Sequence, residues 1–161
     1  MKQGQKTVRI IYGTTSGNTE LVCEMVQKVL EERCLSVAIE RVEKSQPEDI
    51  FLADCTILAS STYGHGILQD HFIPYAKKLE VLDFSNHLFA VIGLGDPKYD
   101  RQYNIESANI LEHLVQNRDG TLLQHALRVN EMPLRHLEDT VRKWAEHLAE
   151  EIKHHPLSPS S

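Results

Sequence analysis

The chain has 161 residues, enough for one domain with a substantial core, and at 41% hydrophobic and 25% charged it has the composition of a folded globular protein. Seventeen Lys and Arg against 23 Asp and Glu give a net charge of −6 at pH 7, which argues against nucleic acid or anionic lipid as partner and favours basic proteins or cations. No apolar run is long enough to span a bilayer, and Met1-Lys2-Gln3-Gly4-Gln5 lacks signal-peptide character, so no membrane association is expected.

Apolar runs alternate with helical patterns along the chain. Val8-Arg9-Ile10-Ile11-Tyr12 reads as a short strand ending at Gly13. Leu21, Val22, Met25, Val26, Val29 and Leu30 place one apolar stripe on a helix. Residues 35–42 alternate as a half-exposed edge strand does. Cys55-Thr56-Ile57-Leu58-Ala59 and Leu88-Phe89-Ala90-Val91-Ile92 are continuous apolar runs, the mark of parallel strands buried on both faces. Between them Phe72, Tyr75, Ala76 and Leu79 predict a helix, and Ile105, Ala108, Leu111, Leu114 and Val115 predict another, closing near Asp119-Gly120. Residues 122–129 are expected to form a fifth strand. Leu134, Leu137, Val141, Trp144, Leu148 and Ile152 predict a last amphipathic helix with Trp144 in the core. Five strands separated by helices predict a three-layer α/β sandwich over residues 1–152, and residues 153–161 read as a mobile polar tail.

Three cysteines, Cys23, Cys34 and Cys55, are widely spaced and form no Cys-x-x-Cys pair, so neither a disulfide framework nor a zinc site is expected and a reducing, cytoplasmic setting is the simpler one. The nine histidines show no metal-ligand spacing, so no metal is expected. No nucleophile with a base and an orienting group stands out, so no catalytic residue is assigned.

In an open parallel sheet, ligands bind outside the carboxyl ends of the strands, where strand order reverses. After the first strand comes Gly13-Thr14-Thr15-Ser16-Gly17-Asn18-Thr19, opening directly into a helix. Small residues let the backbone curl, the helix start presents free N–H groups, and four hydroxyls and an amide add donors. The loop has no Lys or Arg, which excludes the nucleotide-hydrolase P-loop, and it lacks the Gly-x-Gly-x-x-Gly pattern of dinucleotide sites. A monophosphate held by neutral donors fits it. A plain helix cap is the competing explanation, but a cap needs one hydroxyl rather than four. After the third strand comes Ser60-Ser61-Thr62-Tyr63-Gly64-His65-Gly66, where an aromatic between hydroxyls and glycines can stack on a flat ring. After the fourth comes Gly93-Leu94-Gly95-Asp96-Pro97-Lys98-Tyr99, whose two glycines bring backbone close to a ligand and whose Tyr99 offers a second flat surface. Either tyrosine loop alone is an ordinary turn. Together with the cradle, they describe a site for a planar, phosphorylated cofactor.

On these stretches, with Leu68-Gln69-Asp70 between the last two, the sequence resembles the flavodoxin family in its short-chain form from about Val8 to Ile152. The resemblance implies a flavodoxin-like five-stranded parallel sheet in the order 2-1-3-4-5 with helices on both faces. It implies a low-potential carrier that moves one electron at a time on non-covalently bound FMN, as a monomer, from a flavodoxin or ferredoxin reductase to an acceptor oxidoreductase. Thr14, Thr15, Ser16, Gly17, Asn18 and Thr19 would then hold the phosphate, with Ser61 helping and Thr62 near the ribityl chain. Tyr63 and Tyr99 would cover the two faces of the isoalloxazine, and Leu94, Gly95, Asp96 and Tyr103 would meet its pyrimidine edge. An NAD(P)H-dependent flavin or quinone reductase of the same fold is the alternative. It needs a pocket over the flavin, and no added segment supplies one. A regulatory role without a working flavin is a third possibility.

The resemblance also implies that the peptide after Gly64 turns on one-electron reduction, so that its carbonyl accepts a hydrogen bond from flavin N5–H. Relatives often carry an acid at the next position; here it is His65. Negative charge near the ring opposes the second electron, so His65 should make that step less difficult, increasingly so as pH falls through the histidine range near ~6.5. Redox titration across pH should therefore give a less negative second potential for wild type than for His65→Asp, with the gap widening in acid; identical potentials would exclude this role.

Overall fold

The computed structural model describes residues 5–15, 17–63, 67–95, 105–129 and 137–155. In chain order the elements are β1 (Thr7–Gly13), α1 (Asn18–Glu32), β2 (Ser36–Arg41), β3 (Cys55–Tyr63), β4 (Ile67–Leu68), α2 (Phe72–Leu79), β5 (Leu88–Leu94), α3 (Glu106–Asn117), β6 (Thr121–Leu122), β7 (Leu127–Val129) and α4 (Arg142–His154). Two 3-10 segments, Val42–Lys44 and Pro47–Leu52, link β2 to β3.

Alternation along the central strands creates the layers, because successive side chains of a strand point to opposite faces. Ile10, Ile57, Ala90 and Ile92 face one buried cluster, which Val22, Val26, Val29 and Leu30 of α1 and Ala145, Leu148, Ala149 and Ile152 of α4 complete. Ile11, Leu58 and Val91 face the other, filled by Phe72, Tyr75 and Leu79 of α2, Leu111 and Val115 of α3, and Ile50 and Phe84 from the connections. Each fully buried Leu, Ile or Phe contributes about 1.5–3 kcal/mol, so these two layers dominate the stability of the sandwich.

The parallel strands run in the order β2-β1-β3-β5 followed by β6 and β7, which is the expected 2-1-3-4-5 arrangement. Two features depart from the sequence reading. A short antiparallel strand, β4, pairs Thr62 with Leu68 and Tyr63 with Ile67. The fifth position is filled by two pieces rather than one continuous strand: β6 pairs with the start of β5 and β7 with its end. Between them the Leu123 N–H still donates to the Phe89 carbonyl of β5 at 3.0 Å, and beyond it the chain bonds to helices. Glu112 Oε2 of α3 accepts the Ala126 N–H at 3.0 Å, and the Trp144 indole N–H donates to the His125 carbonyl at 2.9 Å. Trp144 is accordingly half-buried at the rim of its cluster, not in the core as its place on the stripe predicts. Its indole N–H needs an acceptor, and the interrupted strand provides one.

Helix α4 runs to His154, two residues beyond the expected end of the domain, and Lys6 Nζ donates to the carbonyls of Ile152 (2.7 Å), Lys153 (3.2 Å) and His155 (2.7 Å). A lysine at a helix C-terminus satisfies carbonyls that have no partner within the helix. Leu134 and residues 156–161 lie outside the described residues. Cys23 and Cys55 are buried, and burial pushes both thiols well above their ordinary range. No helix among the described residues is long and apolar enough to cross a membrane.

At the amino-terminal edge of the sheet, His87 is buried among Phe51, Phe84 and Phe89, with ring centroids 5.4 Å from Phe51 and 5.0 Å from Phe89. Thr56 Oγ1 donates to the Ile50 carbonyl at 2.6 Å, so the same oxygen accepts from His87 Nε2–H at 2.9 Å. Burial holds the His87 pKa below its ordinary 6.5, against the opposing pull of Asp54. The unfolded chain therefore takes up a proton that the folded chain does not. Stability is complete above the ordinary value and is lost as pH falls from there towards the lower folded value. Urea unfolding should show wild type losing more stability than His87→Gln between neutral pH and pH ~5; equal losses would remove His87 as the cause.

Candidate functional site

Gly13, Ser60 and Gly93 lie in one row across β1, β3 and β5, since Gly13 pairs with Ser60 and Ser60 with Gly93. The segments that leave the sheet after this row start level with one another.

In the first, Gly17 is the N-cap of α1 in the left-handed region, with φ 89° and ψ −5°. A Cβ there would meet nothing within 4 Å, so backbone conformation rather than crowding is what favours glycine. Thr14 Oγ1 accepts the Gly17 N–H at 2.9 Å and folds the loop back on itself. Among the described residues no side chain caps α1, and the Thr14 hydroxyl bonds to the N-cap residue itself rather than to the first helical turn. Thr19, in the first turn, is 0% exposed, and among the described residues its Oγ1 has no hydrogen-bond partner. A buried hydroxyl without a partner costs about 1–3 kcal/mol, so this one is provided for something other than stability. Thr15 and Asn18 are exposed beside it. Neutral donors, uncapped helix N–H groups and the positive end of a helix dipole suit an anion of phosphate type.

At the end of β3, Ser60 Oγ donates to the Ser61 carbonyl at 2.8 Å and accepts the Gln69 N–H at 3.0 Å. Thr62 is buried, and its hydroxyl donates to Ser107 Oγ at 2.9 Å and accepts the Ser107 N–H at 3.2 Å. Tyr63 closes β3 opposite Ile67. After β5, Gly95 N–H donates to the Val129 carbonyl at 2.8 Å, which fixes Leu94 and Gly95 against β7. Gly93 is needed for a different reason from the one its sequence context suggests. A Cβ on it would stand 2.6 Å from both Cβ and N of Ala108, so it admits α3 rather than a ligand. Ser16, Gly64, His65, Asp96, Tyr99 and Tyr103 lie outside the described residues. Thr14, Thr15, Gly17, Asn18, Thr19, Ser61, Thr62, Leu94, Gly95 and the backbone of Tyr63 are thus gathered at the carboxyl edge of the sheet.

Three functional candidates were not visible in the sequence. Arg41, at the end of β2, bonds through Nη2 to Glu20 Oε1 at 3.3 Å, lies 3.8 Å from Glu43, and stands over the Tyr12 ring with Cζ 5.8 Å from its centroid. The Tyr12 hydroxyl donates to the same Glu20 oxygen. Burial, and then the Glu20 carboxylate, pushes the Tyr12 pKa up to about 12. Arg41 thus offsets an acid in the first turn of α1 that would repel an anion in the cradle. Ser107, fully buried, ties α3 to Thr62. Gln69, the third, bonds to the cradle itself. No period or motif marks Arg41 or Ser107, and Gln69, although it lies in the Leu68-Gln69-Asp70 stretch, is assigned no role by it, because each acts across the fold.

A family model, Flavodoxin, matches residues 10–144, well over half of the chain. A probable flavodoxin 2 of Bacillus subtilis is 30% identical over 129 residues, spanning 78% of this chain and 83% of the relative. Among solved structures, a short-chain flavodoxin associated with a non-canonical PDU bacterial microcompartment superposes with a TM-score of 0.82 at 20% identity, over 92% of this chain and 99% of that one. A Fusobacterium nucleatum flavodoxin bound to flavin mononucleotide does so with a TM-score of 0.72 at 19% identity, over 92% and 96%. The chain therefore belongs to the flavodoxin family of FMN-binding flavoproteins, which transfer electrons and are not enzymes in themselves.

Proposed function

We propose that this chain holds FMN across the carboxyl edge of β1, β3 and β5 and carries electrons one at a time from a reductase to an acceptor oxidoreductase, as a cytoplasmic monomer. In this reading Thr14, Thr15, Ser16, Gly17, Asn18 and Thr19 bind the phosphate and Ser61 and Thr62 border the ribityl chain. Tyr63 and Tyr99 flank the ring, Leu94, Gly95, Asp96 and Tyr103 border its pyrimidine edge, and Gly64 and His65 lie near N5. The bound flavin supplies one-electron redox chemistry. The chain supplies the donors, the orientation and the exclusion of water.

The observation that carries the phosphate assignment is the buried, unpartnered Thr19 hydroxyl at the start of an uncapped helix. The Thr14 oxygen already accepts the Gly17 N–H, so its own proton remains available to a ligand. The reductase alternative is not favoured by the family match.

Purified protein, or apoprotein reconstituted with FMN, should be yellow, bind FMN more tightly than riboflavin, and be reduced by dithionite in two resolved one-electron steps. Rapid bleaching by NAD(P)H alone would support the reductase instead. Thr19→Val separates the ligand role from a structural one. Removing an unpaired buried hydroxyl should stabilise the apoprotein by about 1 kcal/mol while weakening FMN about tenfold. A variant less stable without flavin, or one with unchanged FMN affinity, would contradict the assignment.

A further inference from the structure

Gln69 is 1% exposed and lies next to β1: a Cβ at Gly13 would stand 2.6 Å from its Oε1. All of its polar groups are engaged, and they join three elements. Its N–H donates to Ser60 Oγ at the end of β3, and its carbonyl accepts from Phe72 N–H (2.8 Å) and Ile73 N–H (3.2 Å) at the start of α2. Its side-chain Oε1 accepts the His71 N–H at 2.9 Å. That bond fixes the amide orientation, because a backbone N–H requires an acceptor. Nε2 therefore faces the cradle, 3.3 Å from the Thr14 carbonyl and 3.3 Å from Thr15 Oγ1, with His71 Nδ1 at 3.2 Å on its other side.

Two consequences concern the cradle. Nε2 has two hydrogens for these three neighbours and can only donate, so one hydrogen is shared, Thr15 Oγ1 is the acceptor in its contact, and the Thr15 hydroxyl proton is left to point elsewhere. In a planar trans peptide the N–H lies opposite the carbonyl, so holding the Thr14 carbonyl turns the Thr15 N–H away from Gln69. We propose that Gln69 is a positioning residue for the phosphate loop, holding the Thr14 carbonyl and the Thr15 hydroxyl so that the N–H and O–H of Thr15 face the ligand's phosphate. This rests on the FMN reading above.

The test compares the affinity of apoprotein for FMN and for riboflavin, which lacks the phosphate, using flavin fluorescence. Gln69→Met removes the donor at similar volume. It should weaken FMN ~10- to ~100-fold, the range for a hydrogen bond to a charged group, and leave riboflavin within about twofold. Thr15→Val, at an exposed position that does not threaten folding, should lower the FMN-to-riboflavin preference too, and Thr15→Ser should restore it. The double variant should be no worse than about the sum less one shared interaction, as expected for two residues acting through one contact. If Gln69→Met weakens both flavins in parallel, Gln69 is a packing residue only and the proposal is wrong. If Gln69→Met does not fold, unchanged FMN preference in Thr15→Val overturns it. Wild type without any preference for FMN would refute the phosphate reading first, and this proposal with it.

Discussion

The row Gly13–Ser60–Gly93 is the constraint on which the site depends. Parallel pairing in this register levels the ends of β1, β3 and β5, so the segments leaving them meet at one edge of the sheet. Each member of the row is small for its own reason. Gly13 makes room for the Gln69 amide, Ser60 accepts the Gln69 backbone N–H, and Gly93 lets Ala108 of α3 approach. The three contacts pull β4, α2 and α3 towards the same edge, so the ligand end of the sheet is braced from both chain directions. A larger side chain at either glycine would have to displace backbone or a buried amide, and strain of that kind typically costs about 1–3 kcal/mol.

Much of the fold was legible because it rests on periodicity. The continuous runs 55–59 and 88–92 became central strands, and the stripes of Val22, Val26 and Val29 and of Leu148 and Ile152 became the inner faces of α1 and α4. Reading failed where side chains from distant elements decide the local structure. Residues 125 and 126 fall within the expected strand, yet Glu112 and Trp144 supply bonds that a ladder would otherwise provide, and the fifth strand is divided. Trp144 itself fits an apolar stripe, but a hydrophobic pattern carries no information about where an indole N–H will find its acceptor.

The hydroxyl-rich loop stood out in the sequence for the same reason that the side chains bracing it did not. Four hydroxyls in one loop are a compositional signal, readable without any contact. Gln69 stands more than fifty positions from the loop it bonds to, and Arg41 is in a strand on the far side of β1, so even the Leu68-Gln69-Asp70 stretch that marks the family does not show which loop its glutamine meets. A second signal for Gln69 lay at Gly13, where a side chain would collide with the amide. Gly93 carries the converse warning. A glycine at the ligand end of a strand need not face a ligand, and here it faces a helix.

The electrostatics of the cradle follow from its donor set. A phosphate held by hydroxyls and backbone N–H groups is bound without being neutralised, whereas one held by Lys or Arg loses much of its field. Arg41 does not change this, because its bonds go to Glu20 and Glu43 and its charge is balanced there. Arg41 thus offsets part of the negative charge of Glu20 and Glu43, while the charge of a phosphate bound as proposed would remain in the site. In a partly dehydrated pocket such a charge would oppose the arrival of further negative charge on an attached ring. On the proposed reading, affinity and redox behaviour are therefore separable: the hydroxyls, Gln69 and the helix start would act on binding, and the charge of the phosphate would act on the electron.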